Sequence, residues 1–114
     1  MEERDGRILG SSLRNDQIIV RIKYSDKLNM QNAKRIELEM QKYLNLGFKN
    51  ILFDLSKVRL IDSAGFQTLI SVQIDAKLNG INFVIYKAND DLVELFKLVD
   101  LDSIFHFAPY RRAS

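Results

Sequence analysis

The chain has 114 residues, 17 basic against 15 acidic for a formal net charge of +2, no cysteine, and an apolar share of 46%. That length suits one domain, which buries roughly two-thirds of its unfolded surface without metal or disulfide staples, and the lack of cysteine excludes a disulfide framework and thiolate zinc sites. The small, scattered charge excess argues against nucleic-acid binding, while a charged start (MEERDGRILG) and no apolar run of about 18 residues lead us to expect neither a signal peptide nor a membrane span, but a cytoplasmic protein.

In chain order, residues 7–13 (RILGSSL) and 17–23 (QIIVRIK) are alternating runs around a short Asn15-Asp16 turn, which reads as an antiparallel hairpin. Residues 24–29 (YSDKLN) connect to a stretch, 30–46, where Ala33, Ile36, Met40, Tyr43 and Leu44 recur at helical steps. Gly47 stands where a left-handed terminator is expected. Residues 50–56 (NILFDLS) read as a central strand buried on both faces.

The next stretch, RLIDSAGFQTLIS (59–71), breaks at Asp62-Ser63 and resumes with helical rhythm from Ala64: Phe66, Leu69, Ile70, Val72, Ile74 and Ala76 follow, and Asn79-Gly80 ends the helix. In this reading Ser63 caps the helix, its hydroxyl turned toward the free amides of the first turn. Residues 81–86 (INFVIY) form another buried strand, Asn89 and Asp90 cap a third helix carrying Leu92, Leu95, Phe96 and Val99, and residues 103–107 (SIFHF) make a last edge strand. The order β-β-α-β-α-β-α-β predicts a single α/β domain over 1–114, with a core of about 7–107: a mixed sheet with an N-terminal antiparallel hairpin and parallel strands flanked by helices.

Several chemistries lack support. Neither GxxxxGK[ST] nor GxGxxG occurs. His106 is the sole histidine, and Asp54, Asp62 and Asp75 have no spacing that specifies a metal. Ser63, His106 and an aspartate compose a nucleophilic triad on paper, but the GxSxG elbow is missing and His106 alternates with Phe105 and Phe107 as a structural residue does. Asp90-Asp91 reads as a complement to a helix dipole. The tail RRAS, with the basic pair Arg111-Arg112, reads as a solvated terminus.

The stretch DLSKVRLIDSAG (54–65) resembles the STAS family of sulfate-transporter and anti-sigma-factor-antagonist domains, whose bacterial stand-alone members carry a D-L-S-like strand end and then D-S-x-G opening a helix. NGINFVIY and VELFKLVDLDSIFHF are similar to the turn, strand and final elements that follow, so that about residues 17–107 keep the family order. The resemblance implies an anti-sigma factor antagonist, not an enzyme, in which Ser63 is phosphorylated by an anti-sigma factor that doubles as a serine kinase. ATP then belongs to that partner, no cofactor to this chain. A metal-dependent serine phosphatase would reverse the modification, and the unphosphorylated form would capture the anti-sigma factor to free its sigma factor.

It also implies partner contacts at Asp62, Ala64, Gly65, Phe66 and Gln67 in the first helical turn, and at Asn29. There Gly65 either admits a partner to the backbone or eases the strand-to-helix turn. Gln67, Asn29 and Asp100 depart from the family pattern, which usually has a small residue, an acid and a glycine at these places. A second reading is a STAS accessory or scaffold subunit of a phospholipid-transport ABC complex or stress-signalling assembly, without a phosphoswitch. A third, a small hydrolase, requires His106 to reach Ser63.

Overall fold

The computed structural model describes residues 6–108; the Arg111-Arg112 pair and the RRAS tail lie outside the described residues. Strands β1 (Leu9–Arg14) and β2 (Gln17–Ile22) pair antiparallel with Arg14 opposite Gln17. Asn15 turns the hairpin at φ 58°, a left-handed conformation that asparagine tolerates. The chain continues through β3 (Lys27–Leu28), α1 (Ala33–Leu44), β4 (Asn50–Asp54), β5 (Leu60–Ile61), α2 (Ser63–Leu78), β6 (Asn82–Tyr86), α3 (Asp90–Leu98) and β7 (His106–Ala108).

Five strands form the main sheet in the order β1-β2-β4-β6-β7, parallel from β2 onward. The crossovers β2-α1-β4, β4-α2-β6 and β6-α3-β7 all advance in one direction. Right-handed crossovers of that kind put every helix on the same face, with α2 in the middle. The packing agrees. Ile18, Val20, Ile22, Ile51, Phe53, Phe83 and Ile85 belong to the core beneath the helices, whereas the aligned row Ile19, Leu52, Val84 and His106 points to the opposite face. Leu52 and Val84 are nevertheless buried, as expected of inner strands.

Beneath the third crossover, Phe96 meets Phe66, Phe105 and Phe107 edge-on at centroid distances of 5.0, 5.5 and 5.1 Å. Such T-shaped contacts suit the ring quadrupoles. Thr68, the one buried polar side chain among the described residues, donates to the Ala33 carbonyl at 3.1 Å and so ties α2 to α1.

Several boundaries differ from expectation by a residue or more, and the larger differences have visible causes. Helix α1 starts at Ala33, not at residue 30, because residues 29–32 form a turn: the Asn29 amide donates to Asn32 Oδ1 (2.9 Å), and the Ala33 amide to the Asn29 carbonyl (2.7 Å). Strand β7 starts at His106, not at residue 103, because the Ile104 amide turns back onto the Leu101 carbonyl (3.1 Å). The connection at 24–29 and the lead-in at 57–61 are not plain loops, since β3 and β5 within them pair in parallel as a separate small sheet.

Helices α2 and α3 end alike. Ile81 donates to Ala76 and Gly80 to Lys77; Leu101 donates to Phe96 and Asp100 to Lys97. These are paired Schellman bonds, which require a left-handed residue just past the cap. Gly80 supplies it at φ 69°, and Asp100 does so at φ 60° without glycine's freedom.

Candidate functional site

The site grows from the small sheet. Beyond β4, Asp54 Oδ1 accepts the Ser56 amide (2.8 Å) and turns the chain. The Arg59 amide then donates to the Asp26 carbonyl (2.8 Å) and the Asp62 amide to the Leu28 carbonyl (3.2 Å), so β5 is held along β3 until the residue that opens α2. This register makes Asp62 the N-cap, with extended backbone at ψ −173°. Its Oδ1 accepts the Gly65 amide at 2.9 Å, and its Oδ2 accepts the Met30 amide at 3.0 Å. One carboxylate thus closes the helix mouth and anchors the loop before α1. The Gly65 amide, foremost, and those of Met30 and Ala64 hold its carboxyl below the ordinary 3.8, against an opposing effect of desolvation.

The cap is therefore not Ser63. Ser63 is the first helical residue, it is exposed, and its hydroxyl has no hydrogen-bond partner among the described residues. The expectation of a hydroxyl turned into the first-turn amides is corrected for a simple reason: Asp62 already occupies that position.

Gly65 and Phe66, expected to contact a partner, are instead buried within the domain. Gly65 is buried, and a Cβ there would stand 2.3 Å from the Leu28 carbonyl oxygen and 2.9 Å from Ile61 Cγ2. Its glycine serves a close approach within the domain. Phe66, 6% exposed, meets the Phe96 ring edge-on. Ala64 is half-buried, and Gln67 is exposed one turn beyond Ser63 on the same side of α2. Asn29 is half-buried and structures its own loop, its Oδ1 accepting the Gln31 amide at 3.1 Å.

Two neighbours were missed. Met30, whose amide Asp62 holds, is 77% exposed, and Leu60 of β5 is 48% exposed. With Asn29, Arg35, Lys27 and Asp62 they line an open groove of about 560 Å³ beside the helix mouth. The only signal in the sequence was an apolar residue at each place, and both were absorbed into neighbouring elements.

The other candidates do not assemble. No group of three metal-ligating side chains occurs among the described residues. Asp54 caps its own turn, and Asp75 accepts from Gln41 Nε2 at 2.8 Å. His106 lies in the row facing away from the helices, so the sheet separates it from Ser63. Among the described residues no helix is long and apolar enough to cross a membrane.

Comparison with known proteins gives a consistent picture. The STAS domain family matches residues 12–113. Among solved structures, a candidate anti-sigma factor antagonist of Thermotoga maritima is 24% identical, with a TM-score of 0.74 over 87% of this chain and 84% of that one. An anti-sigma factor antagonist of Mycobacterium paratuberculosis is 17% identical, with a TM-score of 0.74 over 90% and 86%. The anti-sigma factor antagonist SpoIIAA in its unphosphorylated form is 10% identical, with a TM-score of 0.68 over 88% and 87%. A Bacillus SpoIIAA has also been solved in the phosphorylated form, 11% identical with a TM-score of 0.63 over 88% and 90%.

Proposed function

The chain belongs to the STAS domain family, and on that premise we propose that it is an anti-sigma factor antagonist switched by phosphorylation of Ser63. The observation that carries this reading is the exposed Ser63 at the first position of α2, with an unengaged hydroxyl, immediately after a capping aspartate. A kinase needs a hydroxyl it can reach without dismantling the fold, and a capping hydroxyl would not be free to react.

A phosphate on Ser63 adds about −1.5 to −2 charges at the favourable end of a helix dipole. Because Asp62 keeps the cap bonds to Gly65 and Met30, the fold does not depend on the hydroxyl being unmodified. The switch therefore works at the surface: an added dianion beside the Asp62 carboxylate repels acidic partner groups and blocks close packing on Met30 and Leu60. The unmodified chain binds the anti-sigma factor, and the modified chain releases it. Binding of ATP belongs to that partner.

The test compares unmodified chain, phosphorylated chain and Ser63→Glu for binding to each anti-sigma factor serine kinase of the same genome, by calorimetry. Binding by the unmodified chain, weakened about tenfold or more in the other two, supports the proposal. Equal affinity of all three, or loss of far-UV dichroism on phosphorylation, overturns the mechanism.

A further inference from the structure

We infer that the cleft at the carboxyl ends of β2 and β4 is a binding site for a small phosphate monoester. The inference does not depend on the phosphoswitch. Past these strands the chain runs through residues 23–26 to β3 and through residues 55–59 to β5, and an open cleft of about 630 Å³ lies between the two connections. It shares only Ser25 with the groove beside Asp62. Its size is that of a small-molecule site, and the carboxyl ends of parallel strands are where open α/β sheets hold their ligands.

Three cations line the cleft: Arg21 and Lys23 from the end of β2, and Lys57 from the connection after β4. Neither Arg21 nor Lys57 has an ion pair or a side-chain hydrogen bond among the described residues. Arg21 stands opposite Asp54 in the register, yet its guanidinium lies beside Gly10, where a Cβ would be 3.3 Å from Arg21 Cζ. The two carboxylates of the cleft have partners of their own. Asp54 Oδ1 accepts the Ser56 amide at 2.8 Å, and Asp26 lies 4.0 Å from Lys27 Nζ. Two unengaged cations on separate arms of one cleft suit a dianion, and a phosphate monoester carries about −1.5 to −2 charges at pH 7. The planar guanidinium adds a fork that matches phosphate oxygens.

The cleft is larger than phosphate needs, and the rest of it suits an organic group. Ile22 and Val58, both buried, give it an apolar base, and Tyr24, 62% exposed, stands at its side. Tyr24 has φ 64°, a left-handed conformation rare for an aromatic residue. Such outliers gather at ligand clamps and active sites. Lys23 Nζ is 5.3 Å from the Tyr24 ring centroid, so cation and aromatic surface are presented together. Asp26 and Asp54 limit the charge that the cleft accepts. A second or third phosphate would meet these carboxylates, so the site selects a monoester over a nucleoside triphosphate.

Titration of the isotopically labelled full chain, followed by nitrogen–proton correlation spectra, tests this. The probes are glucose 6-phosphate, glycerol 3-phosphate, inorganic phosphate and ATP. We expect saturable shifts confined to the amides of residues 21–26 and 54–58, with Kd of about 0.1–1 mM for at least one ester and about tenfold weaker binding of inorganic phosphate. Arg21→Ala and Lys57→Ala remove exposed side chains, and each should weaken the ester about tenfold while the spectrum verifies the fold. Lys34→Ala, on α1, should leave the affinity unchanged. No shift with either ester up to about 10 mM, shifts centred elsewhere, or unchanged affinity in both cleft variants overturns the site. Inorganic phosphate that binds as tightly as the esters, or ATP that binds more tightly, overturns the monoester assignment.

Discussion

Replacing Gly65 with alanine tests how closely the start of α2 is seated on the loop it caps. The new Cβ would lie 2.3 Å from the Leu28 carbonyl oxygen, whereas ordinary contact begins near 3.4 Å, so the helix mouth must retreat by about 1 Å. The obstacle is backbone, and it cannot swing aside as a side chain would. A retreat of that size also stretches the 3.0 Å bond between Asp62 and Met30 beyond hydrogen-bond range and loosens Phe66 against Phe96. The expected cost is about 2–3 kcal/mol, the upper part of the overpacking range. For a domain of this size that lowers the melting temperature by about 10–20 °C. Urea unfolding followed by far-UV dichroism measures it, with Gly80→Ala as control. Gly80 has φ 69° but nothing within 4 Å of a new Cβ, so only the conformational cost of about 1 kcal/mol applies. A Gly65→Ala protein within about 0.5 kcal/mol of wild type would refute the reasoning.

The remaining predictions concern other parts of the same framework. Asp62→Asn keeps the cap acceptor but removes the charge. Because the Asp62 carboxyl titrates below its ordinary 3.8, its ionised form contributes stability that is complete above that value and is lost as pH falls through the lowered one. The difference in urea midpoint between wild type and Asp62→Asn should hold steady over about pH 5–7 and vanish in stronger acid; a difference that grows on acidification contradicts the assignment. Asp100→Gly should stabilise the chain by about 1 kcal/mol, since the residue already sits at φ 60° in the Schellman position of α3. An unchanged or lower melting temperature would count against it. Phe96→Ala should cost about 3–5 kcal/mol in denaturant titration, because Phe96 is fully buried and meets Phe66, Phe105 and Phe107 together.

The long periodic runs made the fold legible: the hairpin, the inner strands at β4 and β6, and the three helices all carry several repeats of their own period. Strands β3 and β5 were not legible, because two residues apiece carry no period, and what aligns them is the Asp62 amide on Leu28. The same bond decides between Asp62 and Ser63 as the cap, two residue types with nearly equal preference for the position. Gly65 reads in sequence as admitting a partner to the backbone or easing the turn; its close approach to Leu28 inside the domain was not legible, because Leu28 is remote in sequence.

The central claim is that Ser63 accepts a phosphate from an anti-sigma factor kinase. Intact-mass measurement after incubating the chain with that kinase and ATP tests it most directly, with Ser63→Ala run in parallel. The account predicts a single added phosphate on the wild-type chain and none on Ser63→Ala. An unmodified wild-type chain, or a phosphate that persists in Ser63→Ala, would contradict it.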